Sequence, residues 1–189
     1  MIITISGTPG SGKSTVAKIL MKKLDAERIY VGGIRREMAR DKGMSLQEFN
    51  KYAKTHKETD VDVDTKASEE AKELAKTKKV IAEGYTMFHF LPDSIKIFIK
   101  CELEVGARRI WKDLQQHDTK TARNEGKFTS FEQMKARVVE RLEEDAGRYM
   151  KYYGIDHRDE SQYDFVVDTS NISAEEAAMK VLEFAKKYK

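Results

Sequence analysis

The chain has 189 residues, 40% apolar and 35% charged, with 35 Lys and Arg against 32 Asp and Glu and a formal net charge of +3. That length suits one domain with a substantial core and is short for two, and the dense mixture of both signs marks neither a nucleic-acid surface nor a membrane surface. A single cysteine, Cys101, excludes an internal disulfide framework and a cysteine metal cluster; with no basic leader, no cleavage site and no apolar run near the ~20 residues of a membrane span, the expectation is a cytoplasmic protein.

In chain order, "IITIS" at 2–6 is β-branched and ends at a glycine, which reads as a strand. Residues 13–25 then place Val16, Ile19, Leu20 and Leu24 on one helical face. A second strand, "IYV" at 29–31, precedes two short helices over 33–43 and 46–56, the latter opened by Ser45 as N-cap with Glu48 completing a capping box. Residues 60–78 read as one helix running up to a third strand, "VIA" at 80–82, and "IKIFIK" at 95–100 is the fourth. Helices over 104–116 and 129–152 come next, then "FVV" at 165–167 and a last helix over 173–187 capped by Ser173. Both prolines, Pro9 and Pro92, fall in loops. Alternating strands and helices without repeat or linker predict one α/β domain over 1–189, its mainly parallel sheet covered on both faces.

Between the first strand and its helix lies "GTPGSGKST", Gly7 to Thr15, which matches G-x-x-x-x-G-K-[ST] in the strand-then-helix context the motif requires. Its glycines let the backbone wrap an anion, and the helix N-terminus adds partial positive charge. Gly7, Thr8, Pro9, Gly10, Ser11, Gly12, Lys13, Ser14 and Thr15 are therefore the expected nucleotide-binding residues, with Lys13 neutralising the β- and γ-phosphates and Ser14 offering its hydroxyl to Mg²⁺. The GTPase motifs N-K-x-D and D-x-x-G are absent, and the chain is small for a motor, which leaves a small phosphotransferase using ATP. The second strand leads into "VGGIRREMA", which brings Gly32, Gly33, Arg35 and Arg36 to the carboxyl edge of the sheet, where α/β ligands bind.

"GTPGSGKSTVAK", "GGIRREMARDKGMSLQEFNKYAKTH", "AEG", "RLEEDAGRYMKYYGID" and "YDFVVDTS" succeed one another over nearly the whole chain, which thereby resembles the archaeal type of cytidylate kinase within the nucleoside monophosphate kinases. The resemblance implies a P-loop fold of three layers, α/β/α, around a five-stranded parallel sheet. It also implies a helical NMP-binding segment at about 32–78, a lid at about 110–145, and transfer from ATP, with Mg²⁺, to CMP or dCMP. Arg36 then corresponds to the arginine that clamps the acceptor phosphate, while Arg35 reads as a solvated neighbour. Arg109, Arg141 and Arg148 fall at positions similar to the lid and post-lid arginines that stabilise spreading charge in phosphoryl transfer; a helix-surface ion pair with Glu144 or Asp145 is the competing reading for Arg141 and Arg148. The polar stretch 117–130, with Lys120, Arg123 and Lys127, reads as lid tip or as an ordinary loop.

Glu83 and Gly84, at the end of the third strand, stand at the same edge, where Glu83 serves a metal-bound water, a clamp arginine or merely a turn. Asp60 and Asp64, four apart on one helical face, suit the exocyclic amine of cytosine and not the O4 of uracil, or else form, with Asp62, an acidic helix start. The chain departs from the resembled pattern at Val61, Lys66 and Tyr85, where arginines are expected. "YTMFHF" from Tyr85 supplies either a base-stacking wall or core packing, and His89 has no partner motif. The expected partners are small nucleotides, with no nucleic acid and no membrane; a monomer and an oligomer both remain open. A kinase for another nucleotide or a small alcohol, and a non-catalytic ATP-dependent regulator, stand as alternatives.

Overall fold

A computed structural model describes residues 1–116, 124 and 128–188. Five strands, β1 (Ile2–Gly7), β2 (Ala26–Tyr30), β3 (Lys79–Glu83), β4 (Ile95–Lys100) and β5 (Phe165–Asp168), form a parallel sheet in the order β2-β3-β1-β4-β5. The helices are α1 (Lys13–Leu24), α2 (Val31–Asp41), α3 (Leu46–Ala53), α4 (Glu58–Leu74), α5 (Met87–Phe90), α6 (Leu103–Leu114), α7 (Phe131–Tyr153) and α8 (Ala174–Lys187). Their arrangement is the three-layer α/β/α fold expected of a P-loop protein.

Both faces of the sheet are buried, which is why its central strands read as continuous apolar runs. On one face Ile3, Ile5, Ile97 and Ile99 pack with Val16 and Leu20 of α1 and Val181 and Leu182 of α8. On the other, Ile29, Val80 and Ala82 meet Val63, Ala67 and Ala71 of α4. A separate apolar cluster, with Ile110, Met134 and Val138 at its centre, fastens α6 to α7. No helix among the described residues is long and apolar enough to cross a membrane.

The predicted capping boxes at Ser45 and Ser173 are both present. Boundaries differ where the chain turns without a loop. β2 begins at Ala26, and Val31, predicted to be in the strand, opens α2, with Tyr30 as N-cap. α4 stops at Leu74 short of the predicted 78, because the Leu74 carbonyl accepts from Thr77 N and Lys78 N and closes a turn. The one-turn helix α5, within "YTMFHF", is not among the predicted elements; it buries Met87 and Phe88 and leaves His89 exposed.

Candidate active site

At the carboxyl edge of the sheet a cleft of about 760 Å³ runs from the phosphate loop to α2, bounded by α4, the end of β3, α6 and α7. Eight cationic side chains and four carboxylates line it, which suits a polyanionic ligand.

The phosphate loop is held by its glycines and by the strand beside it. Gly7 (φ 140°) and Gly10 (φ 75°) occupy backbone conformations that side chains resist, and a Cβ on either would strike backbone, of Ile99 and Gly106 respectively. Thr8 N donates to Ile99 O, and Thr8 Oγ1 accepts from Cys101 N at 3.0 Å. Gly7, Thr8 and Ser11 thus build the loop from behind, while Pro9, Gly10, Gly12, Lys13, Ser14 and Thr15 face the cleft. Lys13 Nζ donates to the carbonyls of Gly7 (2.9 Å) and Thr8 (2.7 Å) and lies 5.1 Å from the centre of the Tyr85 ring. Ser14 Oγ donates to Glu83 Oε1 at 2.5 Å. Register explains that meeting, since Glu83 pairs with Ile5 on β1, two residues before the loop.

On the wall across from the loop, Gly32, Arg36, Asp64, Gly84 and Tyr85 all line the cleft. Arg36 Nη1 donates to Tyr30 Oη and Gly32 O, both at 2.8 Å. Asp64 accepts from Tyr153 Oη at 2.8 Å, and its burial pushes the carboxyl up to about 6 against the hydrogen bonds of Tyr153 and Thr86. Of the three departures Val61, Lys66 and Tyr85, Tyr85 alone is among the lining residues; Lys66 is exposed.

Three residues lie deeper than their sequence readings place them. Arg35 is not solvated: it is 7% exposed, donates to Asp60 Oδ1, and also reaches Thr59 O and Asn50 Oδ1. Asp60 is 1% exposed and does not line the cleft, because Arg35 and Arg148 engage both of its oxygens. Arg148 is likewise absent from the cleft wall: Nε donates to Asp60 and Nη2 to Asp145, both at 2.9 Å. Burial works against its charge, and the flanking carboxylates more than offset that, holding the guanidinium above its ordinary range. Arg141 and Arg148 do share Asp145 as ion-pair partner, whereas Glu144 pairs with Lys54 and Arg137. Arg141 and Asp145 face the cleft.

Arg109 also faces the cleft and braces the loop, donating to Gly10 O at 3.4 Å, Thr169 Oγ1 at 3.2 Å and Thr169 O at 2.7 Å. The expected lid-tip cations Lys120, Arg123 and Lys127 lie outside the described residues.

Sequence reasoning passes over Arg28, Arg40, Tyr149 and His157. Arg28 and Arg40 line the cleft with Tyr149. His157 is 1% exposed, its ring 4.9 Å from that of Tyr85 and 5.1 Å from that of Tyr149, and burial lowers its pKa to about 4. The alternation of "ERIYV" could flag Arg28 as sharing a strand face with Tyr30; nothing local marks His157.

The AAA domain family model matches residues 3–151. The cytidylate kinase of Methanocaldococcus jannaschii is 39% identical over 180 residues, covering 93% of this chain and 92% of that protein. That of Sulfurisphaera tokodaii is 39% identical over 187 residues, covering 97% and 93%. Among solved structures, a shikimate kinase from Bacteroides thetaiotaomicron superposes with a TM-score of 0.60 at 16% identity over 98% of each chain, a likeness of fold. With the phosphate loop and the opposing cleft wall in place, these relationships put the chain in the archaeal-type cytidylate kinase family of P-loop phosphotransferases.

Proposed function

We propose that the protein transfers the terminal phosphoryl group of ATP to CMP or dCMP in the cytoplasm, forming ADP and CDP or dCDP. The observation that carries this reading is the shared cleft: Lys13 and Ser14 line one end and Gly32, Arg36, Asp64 and Tyr85 the other. A donor held at the loop and an acceptor held at α2 would approach each other across it, and positioning supplies much of the catalysis in such a transfer. Lys13 and Arg109 would meet donor phosphates, Arg36 the acceptor phosphate, and Arg141 the charge developing between them. Arg148 and Asp60 are better read as the support that aligns Arg141 and Asp145 than as groups touching substrate. Asp64, as carboxylate, accepts from the amine of cytosine and repels the O4 of uracil.

Among the described residues no group of three or more His, Cys, Asp or Glu could hold a metal by itself. Ser14 Oγ and Glu83 Oε1 form an all-oxygen pair beside the loop, which fits Mg²⁺ completed by phosphate and water. When bound, the ion would neutralise charge on the donor phosphates. ADP release, measured with CMP, dCMP, UMP, AMP and GMP as acceptors, tests the reading. Stimulation by CMP or dCMP well above UMP is expected; no stimulation by any monophosphate refutes it.

A further inference from the structure

Two side chains of β2 stand between the phosphate loop and the acceptor helix. Alternation puts Arg28 and Tyr30 on one face of the strand, and the guanidinium carbon lies 4.3 Å from the centre of the Tyr30 ring. Arg28 forks onto Oε2 of Glu83, with Nε donating at 3.1 Å and Nη2 donating beside it. The other oxygen of that carboxylate accepts from Ser14. Side-chain exposure is 4% for Glu83 and 13% for Arg28, so each charge depends on the other for compensation. At the far end of the ring, Tyr30 Oη accepts from Arg36.

The ring has a seat built for it. A Cβ on Gly33 would lie 2.6 Å from Cδ1 of Tyr30, and one on Gly32 would lie 3.0 Å from Cε2. Both glycines are within α2, so the space above them explains their presence. A side chain at residue 33 would push the ring away, taking with it the surface under Arg28 and the acceptor for Arg36.

The geometry points to Arg28 and Tyr30 as positioning residues that align the two halves of the cleft together, Arg28 by fixing the carboxylate facing Ser14 and Tyr30 by fixing Arg36. The Arg36 half rests on the acceptor reading above; the Arg28 half does not. Neither residue is asked to touch the reacting atoms. Because the two are stacked, removing the ring disturbs both halves, whereas removing the hydroxyl alone disturbs one.

Equilibrium binding to the full chain separates these effects without turnover: calorimetry with CMP alone, and Mn²⁺ binding in the presence of ATP followed by its EPR signal. Tyr30→Phe keeps the ring and removes the oxygen. It is expected to raise the Kd for CMP about tenfold, the worth of one hydrogen bond to a charged group, and to leave Mn²⁺ binding unchanged. Arg28→Gln is expected to weaken Mn²⁺ binding about tenfold, with only partial recovery in Arg28→Lys, which restores charge without the fork or the stacking. Gly33→Ala should weaken both ligands. Unaltered CMP affinity in Tyr30→Phe, or unaltered Mn²⁺ affinity in Arg28→Gln, overturns the proposal. Should Arg28→Gln also lower the urea midpoint, Arg28→Lys at matched stability judges the Arg28 half, by whether Mn²⁺ binding recovers only in part, and Tyr30→Phe, which removes one oxygen atom, judges the Tyr30 half. A wild-type chain that binds no CMP defeats the acceptor reading instead, and the Mn²⁺ experiment still judges Arg28.

Discussion

Replacing Asp60 by Asn keeps the shape of the side chain, removes its charge, and separates support of the site from recognition of a base. The carboxylate is 1% exposed and engaged by Arg35 on one oxygen and by Arg148 Nε, at 2.9 Å, on the other. After the change Arg148 keeps Asp145 at 2.9 Å, while Arg35 keeps the neutral acceptors Thr59 O at 3.0 Å and Asn50 Oδ1 at 3.3 Å. Breaking a buried ion group by removing one partner costs about 3–5 kcal/mol, and the surviving Arg148–Asp145 pair puts this site near the lower end, at about 3 kcal/mol. For a chain of this size each kcal/mol moves Tm by about 2–4 °C, so a fall of roughly 6–12 °C is expected, with a urea midpoint lower by about 1 M. Thermal and urea unfolding followed by circular dichroism measure both. A base-reading Asp60 would give the opposite pattern, an unchanged Tm with CMP binding lost. A fall of less than about 2 °C would refute the account of a dry, interdependent cluster.

Asp64 is expected to behave differently. Burial raises its folded pKa to about 6 from the ordinary value of 3.8, so between those limits the folded chain binds more protons than the unfolded one and stability falls as pH rises. Asp64→Asn should flatten that slope and stabilise the protein at pH 7.5 by up to about 3 kcal/mol, read as urea midpoints at pH 4 and 7.5. In wild type, CMP binding should strengthen as pH rises through about 6 more than UMP binding does, UMP carrying the same phosphate; parallel profiles would remove Asp64 from base recognition. Lys13→Ala should lower the rate of ADP release at least about a hundredfold, as loss of a charge-stabilising donor does, and a smaller loss would mean that another cation carries the donor phosphates. Gly10→Ala should destabilise the fold by more than Gly12→Ala, because a Cβ at residue 10 meets Gly106 O at 2.2 Å while one at residue 12 meets nothing within 4 Å. Equal urea midpoints for the two variants would contradict that packing.

The phosphate-loop half of the cleft is legible in the sequence because it is local. Gly7 to Thr15 are contiguous, and the β-branched run before them and the amphipathic helix after them fix where they sit. The strands are legible less evenly: "IKIFIK" reads with the bounds it has, whereas the apolar pattern starts β2 three residues late because "AER" carries charge at an edge. Position on a helical face is legible and depth is not. Asp60 and Asp64 do lie on one side of α4, but one turn apart is enough for the first to meet Arg148 of α7 and the second to meet the cleft. Arg35 and Arg36 are adjacent and so point about 100° apart; which one turns inward depends on Asp60 and Asn50, 25 and 15 residues away.

The wall across from the loop depends in part on charge compensation between separate segments, and that accounts for its being harder to read. Each of three carboxylates in the wall has a partner: Arg28 for Glu83, Arg148 and Arg141 for Asp145, and the Tyr153 hydroxyl for Asp64. The set around Asp145 is local, at i,i+4 and i,i+3 along α7, and its spacing shows in the sequence; the partners of Glu83 and Asp64 come from β2 and the end of α7, and no spacing in the sequence joins them to those carboxylates. Tyr85 illustrates the effect of a change at one position. An arginine there would add a second cation beside Lys13, whereas the ring lies 5.1 Å from Lys13 Nζ and packs 4.9 Å from His157, so that its face attracts the ammonium group. With CMP as acceptor, holding its phosphate then falls more heavily on Arg36, and the placement of Arg36 depends on the Tyr30 hydroxyl and the Gly32 carbonyl. On the acceptor reading proposed above, a tyrosine rather than an arginine at residue 85 would make the packing between β2 and α2 a determinant of acceptor affinity, at residues that do not themselves carry the phosphate.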